Sequence, residues 1–512
     1  MGLTVDEAFE KAFLLEAETS PFPAIMGRVC PHPCEHECNR LAKDGAVGIN
    51  SVERALGDYA IEKGLELPTA DVGGPFQETV AVVGAGPSGL SCAYQLARRG
   101  YKVTVYESLP KAGGMLRYGI PEYRLPREVI DAEVQRIVDL GVEIQYGVAI
   151  GKDITVDALR EKHDAVYVAI GAHQGRKLGV PGEDGPGVYT GTDFLRRANN
   201  GESPEVGERV VVIGGGDTAI DAARVSLRLG QDAARVARRE GSQVTILYRR
   251  TRKEMPAIER EIEEALEENV QIEFLAAPAK IVRDGSGQVV KMVVQHMELG
   301  EPDDSGRQRP VPIEGKVSEI EVDTVITAVS QSPDTERLGA FTETGWMKAD
   351  SWGKTDVDKV WSGGDNVNLG IATTSIGQGR LAAESIHATL RGETPMLTDH
   401  GPDILPSNLK LDFYEEKDPV ERQVKSADDR LADPNAEIDL GITRDQALEE
   451  VGRCFSCGSC FGCERCWMFC TPGCFTKLSG PTPGVYYKLN IDTCNGCKKC
   501  AEECPCGFLD MV

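Results

Sequence analysis

The sequence predicts an α/β protein with two nested Rossmann-like domains, a small helical domain before them and a cysteine-rich domain after them. Three observations predict this fold class. Two strand–glycine-turn–helix motifs follow one another, at 79–99 and 209–229. A strand that ends in Gly-Asp follows at 360–365, and the cysteines concentrate near the two ends of the chain. A chain of 512 residues is also too long for one core and suggests several domains.

The first motif has every part of a dinucleotide-binding βαβ unit. A β-branched run at 79–83 leads into a glycine-rich turn, and a helical pattern follows at 90–99. The second strand, at 101–106, ends at an acid that can accept hydrogen bonds from ribose hydroxyls. The candidate dinucleotide-binding residues are Gly84, Gly86, Pro87, Ser88, Gly89 and Glu107.

The second motif differs from the first where its second strand ends. The strand at 244–248 is followed by two arginines instead of an acid. An acid would repel a 2′-phosphate, whereas guanidinium groups bind one, so these residues favour NADP over NAD. A solvated basic turn is the alternative. The candidate NAD(P)-binding residues are Gly214, Gly215, Gly216, Asp217, Thr218, Arg249 and Arg250.

The first domain is predicted to resume after the second. A strand at 360–363 ends in Gly364 and Asp365, and a helix is expected from about Thr374 to Leu390. This arrangement suits the far end of an FAD site, where the carboxylate binds a ribityl hydroxyl and the helix N-terminus faces the flavin. The predicted order is FAD domain (77–200), NAD(P) domain (201–325) and FAD domain resumed (326–398).

Eight cysteines near the carboxyl terminus form two copies of one spacing, Cys-x2-Cys-x2-Cys-x3-Cys. This is the ligand pattern of a ferredoxin with two [4Fe–4S] clusters, in which the fourth cysteine of each run binds the other cluster. Structural zinc and disulfides are the alternatives. We therefore predict a ferredoxin-like domain at 451–512 with the ligand sets Cys460, Cys463, Cys466, Cys504 and Cys494, Cys497, Cys500, Cys470.

The formal charge of −25 argues against nucleic acid and anionic membranes as partners, because a phosphate backbone needs a positive surface. No run approaches the roughly 20 apolar residues of a membrane span, and the start lacks a signal peptide pattern, so a cytoplasmic location is expected. Acidic residues outnumber basic ones in 399–450, which is predicted to be a largely irregular linker ending in a helix capped by Thr443.

Three segments resemble the small subunit of glutamate synthase and its relatives: the runs from Gly113 to Pro126, from Tyr248 to Ala257 and from Gly27 to Glu35. The resemblance implies a two-domain flavoprotein that exchanges hydride between NAD(P)H and FAD. It adds four candidate cofactor-binding residues, Gly114, Met115, Arg124 and Gly171. In the wider family, such subunits pass electrons through iron–sulfur clusters to a partner.

The same resemblance implies a cluster in an amino-terminal helical domain, at 1–76. Its three thiolates would be Cys30, Cys34 and Cys38, and relatives complete the cluster with a carboxylate or amide at the position of Glu53. Zinc bound by the three cysteines and a histidine is the alternative. Relatives usually carry a further cysteine block upstream, which is missing here. Four other cysteines lie outside these assignments and permit one more metal or a shifted ligand register: Cys454, Cys457, Cys474 and Cys506.

Hydride transfer requires a positioned nicotinamide and flavin rather than a catalytic side chain, so none is predicted. Residues 93–453 contain no cysteine, which excludes a redox-active pair there and leaves clusters as the electron outlet. We expect an electron-transfer subunit whose partner is the catalytic subunit of an anaerobic complex, such as a 2-oxoacid:ferredoxin oxidoreductase. The alternatives are a self-sufficient NAD(P)H:ferredoxin oxidoreductase that meets soluble ferredoxin, a glutamate synthase small subunit and a non-catalytic redox scaffold or sensor.

Overall fold

The computed structural model describes residues 4–237, 242–304, 306–336, 338, 345–396, 401 and 403–510. Residues 399, 400 and 402 of the predicted linker lie outside the described residues. The chain forms two compact units. The large unit comprises Met1–Cys30, Leu56–Pro395 and Val424–Leu440, and the small unit comprises Pro31–Ala55, Met396–Gln423 and Gly441–Val512.

The helices and strands alternate through most of the large unit. The helices are α1 (Val5–Ala17), α2 (Pro23–Val29), α3 (Pro33–His36), α4 (Ile49–Lys63), α5 (Pro87–Ala97), α6 (Met115–Tyr118), α7 (Arg127–Asp139), α8 (Val156–Lys162), α9 (Gly191–Asn199), α10 (Asp217–Ala237), α11 (Glu259–Glu267), α12 (Ala372–Arg391), α13 (Ala427–Ala432), α14 (Arg444–Val451), α15 (Arg465–Phe469) and α16 (Lys499–Glu502). The strands are β1 (Thr79–Val83), β2 (Lys102–Glu107), β3 (Glu143–Tyr146), β4 (Ala165–Val168), β5 (Gln174–Gly175), β6 (Val188–Thr190), β7 (Arg209–Ile213), β8 (Gln243–Tyr248), β9 (Gln271–Phe274), β10 (Ala276–Arg283), β11 (Val289–Pro302), β12 (Gln308–Glu321), β13 (Thr324–Thr327), β14 (Gln331–Ser332), β15 (Val360–Ser362), β16 (Gln423–Val424), β17 (Asp439–Gly441), β18 (Phe475–Thr482) and β19 (Val485–Leu489).

The first sheet of the large unit has the strand order β15-β4-β1-β2-β3, and its neighbouring strands are parallel. Its central strands are apolar runs with little exposure, as expected when helices cover both faces of a parallel sheet. Strand β15 reaches this sheet from a position far along the chain and pairs with β4 in register, Val360 beside Val166. The predicted return of the chain to the first domain is therefore observed.

The second sheet has the order β6-β13-β7-β8-β9 and is also parallel. All of its strands lie between two segments of the first sheet, so the predicted α/β class with two nested Rossmann-like domains is confirmed. The domain edges differ from the predicted ones. Strand β6 lies in 77–200 and β13 extends past 325, yet both belong to the second sheet because β13 pairs with β6 and β7.

A long antiparallel sheet, β10-β11-β12, extends the second domain. Strands β11 and β12 each have 14 residues and pair along most of their length. The sequence analysis did not predict this hairpin, although its consequences reach the candidate nicotinamide site. Strand β10 also follows β9 directly, with Ala276, Ile281 and Met292 packed in the core that lies behind the second sheet.

The amino-terminal helices α1 and α2 share a core with the first sheet. Phe13, Phe22 and Ile25 are fully buried in the same cluster as the strands and α5. A buried carboxylate from α7 binds the start of α2: Glu133 accepts hydrogen bonds from the backbone amides of Ala24 at 2.9 Å and Ile25 at 3.1 Å. Carboxylate groups are favourable at helix N-termini. Burial nevertheless dominates and raises the pKa of Glu133 to about 8.

This raised pKa predicts a pH-dependent stability. A carboxyl whose folded pKa exceeds its unfolded value stabilises the fold when it is protonated, and that contribution is lost as pH rises toward about 8. We expect the wild type to lose melting temperature between about pH 6 and pH 9, and Glu133→Gln to lose less, because glutamine is neutral throughout. Thermal unfolding of both proteins across this range measures the difference. Parallel curves for the two proteins would contradict the assignment.

The small unit contains the two cysteine-rich segments of the tail. Helix α14 begins after Thr443, whose side chain accepts a hydrogen bond from the Gln446 amide, so the predicted cap is confirmed. Strands β18 and β19 form a hairpin between the cysteine runs, and helices α15 and α16 each follow one run. Glu503 accepts hydrogen bonds from Arg465 at 2.6 Å and Lys410 at 2.9 Å, which ties the two runs together. Within the described residues, no helix has the length and apolar character needed to cross a bilayer.

Candidate cofactor-binding sites

A cavity of about 340 Å³ opens at the carboxyl edge of the first sheet. Ligands bind at this edge in parallel α/β sheets. The cavity brings together residues that are far apart in sequence, including the glycine turn after β1, the acid at the end of β2 and the Gly-Asp pair after β15. The predicted residues that line it are Gly84, Gly86, Pro87, Ser88, Glu107, Gly114, Met115, Gly171, Gly364 and Asp365.

Three glycines let the backbone form the floor of this cavity. Gly84 has φ +102°, and a β-carbon there would lie 2.4 Å from the Ala169 carbonyl oxygen. A β-carbon at Gly89 would lie 2.0 Å from the Gly84 carbonyl oxygen, so α5 could not approach the turn as closely. Gly114 has φ +52°, and its β-carbon would lie 2.8 Å from the Gly86 Cα. The absence of side chains therefore allows the loops to meet and leaves room for a pyrophosphate.

Two acids lie at opposite ends of the cavity. Glu107 accepts hydrogen bonds from the amides of Ala85 at 2.7 Å and Leu109 at 2.8 Å. Burial raises the pKa of Glu107, and these hydrogen bonds oppose the increase. Asp365 accepts a hydrogen bond from the Gly370 amide at 3.1 Å, and burial raises its pKa too. Both side chains are positioned by backbone amides before any ligand binds.

Two predicted residues lie elsewhere. Arg124 is outside the lining of the cavity because its guanidinium is buried against two carboxylates, Asp221 at 2.8 Å and Glu261 at 3.1 Å. Its assignment to cofactor binding is therefore corrected to an internal ion pair. Thr374 is exposed, and the next residue of α12, Ser375, lines the cavity in its place.

The sequence analysis missed several lining residues in irregular segments. They have no motif around them, so no local pattern could have identified them. The polar ones are Ser108, His173, Arg196 and Asp334. Arg196 comes from α9, which lies beside the second sheet, and brings a positive charge to the cavity.

The glycine turn of the second domain repeats the geometry of the first. Gly214 has φ +147°, and a β-carbon there would lie 2.3 Å from the Ala328 carbonyl oxygen. A β-carbon at Gly215 would lie 2.5 Å from the ring of Tyr248. Asp217 opens α10 and accepts a hydrogen bond from the Ile258 amide at 2.9 Å. The turn and the start of α10, with Gly216 and Thr218, are thus arranged as a dinucleotide-binding loop.

The tail cysteines surround two separate cavities in the small unit. The first, of about 200 Å³, is lined by Cys460, Cys463, Cys466, Cys504 and Cys506. The second, of about 230 Å³, is lined by Cys470, Cys474, Cys494, Cys497 and Cys500. Each cavity therefore holds three thiols of one run and the fourth thiol of the other run, which is the exchange that the duplicated spacing predicts.

Two families match this chain. The pyridine nucleotide-disulphide oxidoreductase family matches residues 78–380. The chain belongs to this family. The dihydropyrimidine dehydrogenase domain II family, described by its 4Fe-4S cluster, matches residues 2–65.

The relatives include subunits of larger oxidoreductases. The NADPH-Fe(3+) oxidoreductase subunit beta of Geobacter sulfurreducens is 37% identical over 88% of this chain and 71% of its own length. The NADP(+)-dependent formate dehydrogenase subunit beta of Moorella thermoacetica is 39% identical over 76% of this chain and 57% of its own. The glutamate synthase small chain of Azospirillum brasilense is 36% identical over 76% of this chain and 83% of its own.

The solved structure of FprA from Mycobacterium tuberculosis supports the fold of the two nested domains. It has a TM-score of 0.54 and 22% identity, and the match covers 62% of this chain and 85% of FprA. The family, its relatives and the two glycine turns together identify an NAD(P)H-dependent iron–sulfur flavoprotein oxidoreductase. Its cofactors are flavin, nicotinamide and iron–sulfur clusters.

The two arginines predicted to select NADP have different surroundings. Arg249 is exposed at the end of β8, and no ion pair of its side chain is found among the described residues. Arg250 is buried, forms an ion pair with Asp303 at 2.6 Å and donates a hydrogen bond to the Gln308 carbonyl at 2.7 Å. Both of these partners belong to the β11–β12 hairpin region. The structure thus leaves Arg249 available for a ligand and occupies Arg250 with the hairpin.

The amino-terminal cysteines and the remaining tail cysteines also have distinct surroundings. Cys34 lies near Glu53, whose negative charge adds to burial in raising the pKa of the thiol. Cys457 lies near Cys454 and Cys38 and accepts a hydrogen bond from the Asn39 amide group at 3.3 Å. Among the described residues, no three cysteine, histidine, aspartate or glutamate side chains converge tightly enough for a single metal ion. This spacing argues against the zinc alternatives.

Proposed function

We propose that this protein is the electron-input subunit of a larger oxidoreductase complex and that it prefers NADPH. Electrons would enter at the second Rossmann-like domain, pass to FAD in the first, and leave through iron–sulfur clusters to a catalytic partner. The observation that carries the proposal is the combination of two dinucleotide-binding loops and two cysteine-lined cavities in one chain.

The first cavity fits FAD by its chemistry. The glycine turn and the start of α5 supply backbone amides for a pyrophosphate, Glu107 can accept from ribose hydroxyls, and Asp365 can accept from a ribityl hydroxyl. Bound flavin would supply the conversion between two-electron and one-electron transfer. The chain contributes binding and orientation, and no acid or base is needed from its side chains.

The tail cavities fit two [4Fe–4S] clusters. We assign Cys460, Cys463, Cys466 and Cys504 to one cluster, and Cys494, Cys497, Cys500 and Cys470 to the other, because each set lines one cavity. Thiolates are the usual ligands of such clusters. The outlet of each cavity is apolar: Phe461, Phe475 and Tyr486 line the first. Apolar surroundings and hydrogen bonds to sulfur set the reduction potential.

A partner catalytic subunit is supported by the names of the relatives, two of which are beta subunits and one a small chain. A 2-oxoacid:ferredoxin oxidoreductase remains our expected partner class. The second candidate is a self-sufficient NADPH:ferredoxin oxidoreductase, which the ferredoxin-like tail also favours.

Native anaerobic purification from the source cells separates the two candidates. We expect a tagged chain to retain a stoichiometric second polypeptide, with one FAD and about twelve iron atoms per chain, which corresponds to three four-iron clusters. The purified complex should reduce its clusters on addition of NADPH. A chain that purifies alone and rapidly reduces soluble ferredoxin would support the second candidate, and a chain without flavin would refute both.

A further inference from the structure

The four cysteines outside the ferredoxin pattern do not form one group. Cys506 lines the first tail cavity and lies 3.8 Å from Cys504. Cys474 lines the second and accepts a hydrogen bond from the Thr493 hydroxyl at 3.5 Å. Cys454 and Cys457 line neither cluster-sized cavity and instead lie near Cys38. The extra thiols therefore divide between places that already have a cluster assignment and one place that has none.

Three thiols from distant parts of the sequence meet at that place. Cys457 lies near both Cys454 and Cys38 in the small unit. Asn39, which follows Cys38, donates one hydrogen bond to the Cys457 sulfur at 3.3 Å and another to the Ile404 carbonyl at 2.7 Å. The Asn39 amide is thus fixed at both ends, and it holds the segment after Cys38 against the start of the tail.

The backbone around Cys454 repeats the geometry of the two ferredoxin loops. In each Cys-x2-Cys-x2-Cys run, the residue before the second cysteine and the residue after it both have left-handed φ. The three pairs are Ser456 (52°) and Gly458 (70°), Gly462 (75°) and Glu464 (65°), and Gly496 (70°) and Lys498 (59°). Left-handed φ is uncommon for serine, glutamate and lysine, so its recurrence at one position argues for a shared role.

The sulfur contacts recur as well. The Ser456 amide donates to the Cys454 sulfur at 3.4 Å, and the Gly496 amide donates to the Cys494 sulfur at the same distance. Amide hydrogen bonds to sulfur stabilise the charge on thiolates that bind iron. The loop at 454–458 therefore has the local structure of a cluster-binding loop, although it lies before the eight cysteines of the ferredoxin pattern.

We infer that Cys38, Cys454 and Cys457 are ligands of one iron–sulfur cluster, the third of this chain. Its thiolates come from both ends of the sequence. This assignment removes Cys38 from the predicted set of Cys30, Cys34, Cys38 and Glu53, and it gives the Cys454 loop the role of the upstream cysteine block that relatives carry. The inference concerns metal binding alone and holds whichever partner receives the electrons.

Serine variants of the full-length chain test the shared site. We expect Cys38→Ser, the double variant Cys454→Ser/Cys457→Ser and the triple variant each to lose about four iron atoms, one cluster, with the same EPR signal missing. The triple variant should lose no more than either of the others, because all three residues serve one site. FAD content and flavin reduction by NADPH should match wild type, which shows that the large unit remains folded. Ser459→Ala, an exposed position in the same loop region, should keep all the iron.

Two results would overturn the inference. One is a double variant with the full iron content and every EPR signal, and the other is a triple variant that loses about eight iron atoms, two clusters. Zinc in place of the missing iron in wild type would also overturn it.

Asn39→Ala provides a second measurement that does not depend on losing the cluster. Removal of its hydrogen bond to the Cys457 sulfur should leave the iron content unchanged and shift the midpoint potential of that one cluster to a more negative value, because the sulfur loses a stabilising donor. Redox-titrated EPR measures the potentials. Potentials identical to wild type for every cluster would contradict the proposed ligand set.

Discussion

Gly84→Ala is expected to yield a folded protein that purifies without FAD. The added methyl group would meet the Ala169 carbonyl oxygen at 2.4 Å, and the neighbouring backbone of β4 cannot move without disturbing the sheet. Overpacking of this kind costs ~1–3 kcal/mol. If that cost is paid in the ligand-binding geometry, it lowers FAD affinity by roughly 10–100-fold. Flavin absorbance per chain and FAD titration of the apoprotein measure the effect.

Gly141→Ala is the matched control for this variant. Gly141 also has left-handed φ, +94°, but a β-carbon there has no other heavy atom within 4 Å. It should carry the same backbone penalty of ~1–2 kcal/mol without the collision, and it should therefore retain FAD with a modest loss of stability. Equal FAD content in the two variants would show that the close contact at Gly84 does not determine flavin binding.

Arg249→Ala is expected to raise the KM for NADPH strongly and to leave the KM for NADH nearly unchanged. Only NADPH has a 2′-phosphate, and a hydrogen bond to a charged group is worth ~1.5–3 kcal/mol. The corresponding increase in KM is roughly 10–100-fold. Flavin reduction by NADH should continue, because the nicotinamide and the flavin keep their positions. Steady-state kinetics with both nucleotides provides the measurement.

Arg250→Ala should behave differently from Arg249→Ala. Its guanidinium is committed to Asp303 and the Gln308 carbonyl, so its removal should lower the melting temperature and keep the ratio of the two KM values. A change in nucleotide preference in Arg250→Ala with none in Arg249→Ala would reverse the proposed roles. A preference of the wild type for NADH would refute the NADP assignment while leaving hydride transfer to flavin in place.

The sequence predicted those features that depend on short-range chemistry. Gly84, Gly89 and Glu107 belong to one strand–turn–helix–strand motif, so their arrangement follows from local geometry. The tail cavities were predictable for a related reason, because the duplicated cysteine spacing specifies which thiols exchange between the runs. In both cases, the pattern itself contains the structural constraint.

The features that sequence reasoning missed depend on residues far apart in the chain. Arg250 is occupied by Asp303, 53 residues later, and the hairpin that presents this acid has no motif linking it to β8. Arg124 likewise finds its carboxylate partner 97 residues later. The exchange of Thr374 for Ser375 has a smaller cause: one residue along a helix rotates the side chain by about 100°, so an uncertain helix start is enough to select the wrong residue.

The position of β15 in the first sheet has a consequence for how the protein is made. A ribosome releases β6 to β13 before it reaches residue 360, so the nucleotide domain has all five strands of its sheet while the flavin domain still lacks an edge strand and α12. Domains tend to fold as units during synthesis. The nascent chain should therefore complete its inner domain first, and FAD can be captured in full only when the outer domain closes after residue 391 has emerged.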